Sequence, residues 1–84
     1  MKNNEIIKKQ ILYRSTHRGT KEMDLLLGSF VKKYINEFNY EELLELEIFL
    51  KNEDDDIYKW YFEKKISTTI PDTKISILLK DHKV

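Results

Sequence analysis

The residues best suited to chemistry lie in one short stretch, which runs from Arg14 to Asp24 and reads RSTHRGTKEMD. Fifteen residues of the chain are lysine or arginine, but only Arg14 and Arg18 are arginine, and both lie here. Arginine is preferred where a planar donor must bind two acceptors at once. Gly19 permits a positive φ or a close backbone approach, and Glu22 follows three residues later. These residues favour either a binding site or a structural arrangement, in which Gly19 ends a helix and Arg18 pairs with Glu22.

Groups for catalysis or metal binding are scarce in the rest of the chain. His17 and His82 are the two histidines and there is no cysteine, so we predict no zinc site. No serine lies in a glycine-flanked nucleophile turn, and neither glycine belongs to a phosphate-binding loop. The acidic run at residues 53–56, which follows Asn52, lacks the turn glycine of a calcium loop, and it suits a helix amino terminus. We therefore predict that the chain is not an enzyme.

The length of 84 residues indicates one small domain, and the absence of cysteine excludes disulfides. The net charge is zero, but residues 1–22 carry six basic and two acidic side chains, whereas residues 37–56 carry nine acidic and one basic. This asymmetry indicates either a polar docking surface or two solvated helix faces. A neutral chain does not favour strong phosphate contacts, so we expect no nucleic acid partner.

The sequence shows no targeting or membrane signal. Its longest apolar runs fall far short of the roughly 18–20 residues of a membrane span. Its amino end lacks the apolar core and cleavage site of a signal peptide. We expect a monomer in a reducing compartment such as the bacterial cytoplasm, with no membrane insertion.

Helices must position the stretch around Arg18. Only two glycines and one proline interrupt the chain, which disfavours a β fold with its many turns. Apolar residues between 22 and 38 follow the helical i, i+3, i+4, i+7 period, and Asn39 with Glu42 forms a helix start. Asp72 is expected to cap the last helix, and Gly28 to allow close helix contact. We predict an all-α fold, a compact five-helix bundle in a single domain over residues 1–84, with helices near residues 5–16, 21–38, 40–51, 54–66 and 72–82.

The order of these signals resembles the SdhE family, called succinate dehydrogenase assembly factor 2 in mitochondria. That family carries an R-G-x-x-E motif, and the matching segment here is residues 18–24, RGTKEMD. Residues 25–30, LLLGSF, look like the family's L-L-L-G-x-F run, and residues 54–60, DDDIYKW, resemble D-x-P-x-L-x-x-W. The likeness covers roughly residues 6–65. His17 stands where many members have a second arginine, Met23 replaces leucine, and Asp55 replaces proline.

The resemblance implies a maturation factor that binds the flavoprotein subunit of succinate dehydrogenase or fumarate reductase and promotes covalent attachment of FAD. The partner would supply the histidine that bonds to the flavin and would handle FAD itself, so this chain is expected to bind no cofactor stably. The implied contact face consists of Arg14, His17, Arg18, Gly19, Glu22 and Asp24. Arg18 and Glu22 are expected to face solvent in the free protein.

Two other classes of function stay open at this point. One is an antitoxin-like or regulatory helical protein that binds another protein or nucleic acid. The other is a small enzyme, which the scarcity of catalytic groupings disfavours.

Overall fold

Five helices make up the chain in the computed structural model, which describes residues 4–83. Their bounds are α1 Asn4–Thr16, α2 Lys21–Tyr34, α3 Tyr40–Phe49, α4 Asp54–Tyr61 and α5 Lys74–Asp81. No strand occurs within these 80 positions, and the radius of gyration is 12.1 Å. The predicted all-α bundle is confirmed. The outermost positions of the predicted range 1–84 lie outside the described residues.

The long helix α2 forms because its amino end is capped and its apolar period is regular. The Thr20 side chain accepts a hydrogen bond from the Met23 N–H at 3.3 Å, which satisfies one of the free donors of the first turn. Helix α1 packs along α2 at Gly28, which is buried. A Cβ built on Gly28 would lie 3.5 Å from Thr16 Cγ2. The two helices are in contact at this glycine, but 3.5 Å is an ordinary van der Waals distance, so the contact does not by itself require glycine.

The core lies between all five helices. Phe30 is fully buried and contacts the rings of Tyr34 and Phe38, while Phe49 packs against Trp60 at 5.6 Å between ring centroids. Helix α3 lies against both α1 and α5. Its amino end carries the predicted capping box, because Asn39 and Glu42 exchange side-chain-to-backbone hydrogen bonds.

Helix α2 ends four residues earlier than predicted. It stops at Tyr34, after which the Glu37 N–H donates to the Tyr34 carbonyl in a tight turn. Ile35 and Phe38 remain buried beyond the helix end. The apolar period therefore continued through a turn, because periodicity reports burial and does not mark where the helical hydrogen bonds stop.

Helix α4 also ends early, at Tyr61 and not near residue 66. Lys64 adopts a left-handed conformation with a φ of 58°, and the Lys65 N–H reaches back to the Lys59 carbonyl. Lysine rarely adopts the left-handed conformation, so the residue type at position 64 did not indicate a turn. Ile66 beyond it is 99% exposed.

Helix α5 has a different cap from the expected one. The cap is Thr73, not Asp72, and it forms a capping box with Ser76. Both residues carry a side-chain hydroxyl group and lie three positions apart, which is the spacing that a reciprocal cap requires.

Candidate partner-binding site

The loop between α1 and α2 lies against the loop between α3 and α4. The first loop comprises residues 17–20 and the second residues 50–53. Helix α1 ends where the hydroxyls of Ser15 and Thr16 both donate to the Leu12 carbonyl, a bonding pattern that competes with continued helix. Arg18 and Gly19 are thereby placed next to the start of α4.

Arg18 points into the protein. Its Nε donates to Asp54 Oδ1 at 2.7 Å, and its two terminal nitrogens donate to the carbonyls of Leu50 and Asn52, each at 2.8 Å. The Arg18 side chain is only 10% exposed. The expectation that Arg18 faces solvent is wrong, and so is the local pair with Glu22, because Asp54 is its ionic partner.

The position of this ion pair suits the two helices that it joins. Arg18 lies at the carboxyl end of α3, where free carbonyls and the helix dipole favour a cation. Asp54 is the first residue of α4, where the dipole favours an anion. A planar guanidinium can bind a carboxylate and two carbonyls together, which a lysine ammonium does less well. This geometry explains the use of arginine in a lysine-rich chain.

Gly19 is held by the same carboxylate. Its N–H donates to Asp54 Oδ2 at 2.5 Å, and the preceding N–H, that of Arg18, donates to Asp24 Oδ1 at 2.7 Å. We call the four residues Arg18, Gly19, Asp24 and Asp54 the Arg18 clamp. The clamp fixes two consecutive backbone N–H groups in the middle of the loop with charged acceptors, which make stronger hydrogen bonds than neutral ones.

The reason for glycine at position 19 differs from a helix-ending cap. Neither Gly19 nor Gly28, both within the described chain, has a positive φ, so the left-handed cap hypothesis is wrong. A Cβ at Gly19 would lie 3.0 Å from Asp54 Oδ2, tighter than ordinary contact. The close approach at this glycine is therefore made within the chain, to the Asp54 carboxylate, which would have to shift by a few tenths of an ångström to admit a side chain.

Three other predicted residues are exposed beside the clamp. Arg14 and His17 lie at the end of α1, and Glu22 lies in the first turn of α2. The His17 ring stacks on Tyr13 with centroids 3.9 Å apart, and its Nδ1 is 2.8 Å from the Tyr13 carbonyl. The ring is thereby oriented on the end of the helix.

Two apolar residues beside these charges were missed in the sequence. Tyr13 is 63% exposed and Leu25 is 56% exposed. Leu25 lies three residues after Glu22, so the two share one side of α2. Both apolar residues fall out of phase with the buried period of their helices, and that mismatch was the available signal. We call the exposed residues around the loop the loop face; they are Tyr13, Arg14, His17, Gly19, Glu22 and Leu25.

The loop face continues into a shallow basic depression on α1. An open hollow of about 450 Å³ is lined by Lys9, Gln10, Tyr13 and Arg14. Two cations beside an exposed ring suit an acidic protein surface better than an enclosed small molecule. Within residues 4–83, no cluster of three or more histidine, aspartate or glutamate side chains could hold a metal ion.

A buried histidine, His82 at the end of α5, packs against the carboxyl-terminal half of α2. His82 Nε2 is 2.9 Å from the Ser29 hydroxyl, and the His82 ring packs edge-on against Phe30 and Tyr34. Burial lowers the pKa of His82, and the nearby charge of Lys33 lowers this pKa further. Neutral imidazole is thus the favoured form in the folded chain.

Across the described part of the chain, the helices are all too short or too polar to span a bilayer.

Comparison with known proteins identifies the family. The model of the Sdh5 family, described as flavinator of succinate dehydrogenase, matches residues 9–83. The chain is 40% identical over 80 residues to succinate dehydrogenase assembly factor 2-B, mitochondrial, of Drosophila ananassae, covering 93% of this chain and 49% of that protein. It is 44% identical over 77 residues to succinate dehydrogenase assembly factor 2, mitochondrial, of Scheffersomyces stipitis, covering 90% and 52%. The chain spans about half the length of these curated relatives. With a match over nearly its whole length, the chain belongs to the Sdh5 family.

Proposed function

We propose that this chain is an assembly factor that binds the flavoprotein subunit of succinate dehydrogenase, or of fumarate reductase, and promotes covalent attachment of FAD to that subunit. The observation that carries the proposal is the family match over residues 9–83, a range that includes every residue of the loop face. The match favours this function over the antitoxin-like or regulatory alternative.

The chain acts in this proposal by binding and orienting, not by catalysis. The flavoprotein holds FAD and supplies the histidine that becomes bonded to it, and this chain binds no cofactor stably. Holding two reacting groups in a near-attack geometry is worth many orders of magnitude in rate, and it needs no reactive side chain on the helper. We propose that the chain does this as a monomer in the bacterial cytoplasm, without nucleic acid and without membrane insertion.

The loop face contains both charged and apolar side chains. Glu22 and Arg14 are exposed charges that can bond to the partner, while Tyr13 and Leu25 supply apolar area near them. Aromatic and apolar anchors surrounded by charged groups are the usual composition of a protein interface. His17, stacked on Tyr13, extends the apolar part. In this arrangement Arg18 and Asp24 shape the loop from inside.

The proposed function is tested by flavinylation in vitro. A purified apo-flavoprotein is mixed with FAD, with and without this chain, and covalent flavin is counted by fluorescence after denaturation. We expect a faster reaction with the chain and a slower one when Glu22→Ala replaces it. Glu41→Ala is the matched control, because Glu41 is also an exposed glutamate in the first turn of a helix. A flavinylation rate that is the same with and without the wild-type chain contradicts the proposal.

A further inference from the structure

We infer that Asp54 is a positioning residue for the partner-binding loop. One carboxylate at the start of α4 binds the Arg18 side chain and the Gly19 backbone, and it thereby sets the shape of the loop face. The inference rests on the proposed function, because it concerns how the same surface meets its partner. It adds a residue that lies 36 positions from Arg18 and outside the R-G-x-x-E segment.

Both oxygens of Asp54 are used on the loop. Oδ1 accepts from Arg18 Nε at 2.7 Å and Oδ2 accepts from the Gly19 N–H at 2.5 Å. Acidic residues at helix starts commonly cap their own helix, but the cap residue of α4, Glu53, makes no side-chain cap hydrogen bond. Asp54 thus directs its carboxylate to another loop, although its charge still suits the helix amino end.

Arg18 is bound from both sides, so the partner does not meet a free guanidinium. Its terminal nitrogens donate to Leu50 and Asn52, and Asp54 holds its Nε. Breaking these charge-assisted bonds on partner binding would be unfavourable. What the loop presents is the exposed Gly19 with its neighbours His17 and Glu22. Their relative placement depends on the backbone that Asp54 holds.

The first measurement detects the contact itself. The chain has two glycines, so glycine labelled with ¹⁵N gives two amide signals, one from Gly19 and one from Gly28. A hydrogen bond to a carboxylate moves an amide proton downfield, and Asp54→Asn should move the Gly19 signal upfield. Gly28, inside α2, should not move. Asp55→Asn is the matched control, because Asp55 is an exposed acid of the same first turn that pairs with Lys59.

The second measurement connects the contact to the partner. The flavinylation rate is measured against the concentration of this chain at a temperature where circular dichroism shows every variant folded. Asp54→Asn should raise the half-saturating concentration about tenfold, which corresponds to about 1.4 kcal/mol, and leave the maximal rate within about twofold. A loss of stability alone would lower the active fraction only near the melting temperature. Asp55→Asn should match the wild-type chain in both parameters.

A double-mutant cycle separates action through Arg18 from an independent effect. Arg18→Lys keeps the charge and removes the planar fork. If Asp54 acts through the Arg18 clamp, Asp54→Asn should change the half-saturating concentration much less in the Arg18→Lys background than in the wild type. Equal fold-changes in both backgrounds would overturn this route of action.

The remaining outcomes are also decisive. If the wild-type chain neither binds nor accelerates the flavoprotein, the proposed function has failed and the inference fails with it. If the wild type is active and Asp54→Asn keeps its half-saturating concentration while the Gly19 signal has moved, the inference alone is overturned. Should Asp54→Asn not fold, Asp54→Glu replaces it, because glutamate keeps the charge and displaces the carboxylate from its two donors. The same criteria then apply to Asp54→Glu.

Discussion

Replacing Arg18 by alanine should destabilise the fold and not merely weaken partner binding. The substitution removes three hydrogen bonds of 2.7–2.8 Å from a side chain that is 10% exposed. Removing one member of a buried ion pair costs about 3–5 kcal/mol. Asp54 is 24% exposed and is partly rehydrated in the variant, so we expect about 3 kcal/mol.

This loss is large for a chain of this size. A domain of 84 residues is stable by roughly 4–12 kcal/mol, at about 0.05–0.15 kcal/mol per residue. A loss of about 3 kcal/mol corresponds to a fall in Tm of roughly 12–24 °C. Arg18→Lys should lower the free energy of unfolding by about half as much, because lysine keeps the positive charge but lacks the planar guanidinium that binds several acceptors.

Urea unfolding followed by tryptophan fluorescence provides the measurement. Trp60 is the single tryptophan, and it is buried where α4 packs against Phe49 of α3, so its emission reports the loss of tertiary structure. Arg14→Ala is the matched control, since Arg14 is exposed, and it should change the free energy of unfolding by less than about 0.5 kcal/mol. Equal stability of the Arg18→Ala and Arg14→Ala proteins would refute the clamp as a stabilising contact.

Three further predictions concern exposed and buried groups separately. Glu22→Gln should keep the wild-type Tm within about 2 °C and raise the half-saturating concentration in flavinylation, because Glu22 is exposed; an unchanged half-saturating concentration would remove it from the interface. Gly19→Asn should lower the stability by about 1 kcal/mol in urea unfolding and weaken partner binding, because its Cβ crowds the Asp54 carboxylate. Wild-type binding by that variant would place the loop away from the partner. Burial lowers the pKa of His82, so below about pH 6.5 the unfolded chain binds a proton at this residue more readily than the folded chain, and the free energy of unfolding should fall as the pH drops below 6.5. Urea unfolding of His82→Gln between pH 7 and pH 5.5 should show a smaller pH dependence than the wild type.

The fold was largely predictable because buried apolar residues recur at helical spacing in the sequence. The period of α2 and the capping box at Asn39 identified two helices and the turn between them. The helix ends were less predictable. Ile35 and Phe38 stay buried after α2 has ended, and Lys64 turns the chain without a glycine.

The site was predictable in location but not in orientation. The scarcity of arginine and the R-G-x-x-E pattern identified the correct loop, yet the direction of Arg18 depends on Asp54, Leu50 and Asn52. These three lie 32–36 residues away, and no local rule connects them with Arg18. Local patterns encode helices through neighbours at i+3 and i+4, whereas the clamp is a contact of the tertiary fold.

The length of chain enclosed by the Arg18–Asp54 pair has a consequence for the order of folding. Closing a loop of 36 residues in an unfolded chain costs roughly 3 kcal/mol of entropy. Arg18 bonds to the end of α3 and to the start of α4, so the hydrogen bonds that offset this cost need both helices in place. A nascent chain that has released α1 and α2 alone contains the R-G-x-x-E motif without its native shape. If the partner recognises this loop, as proposed above, partly folded copies should compete for the partner less well than finished molecules.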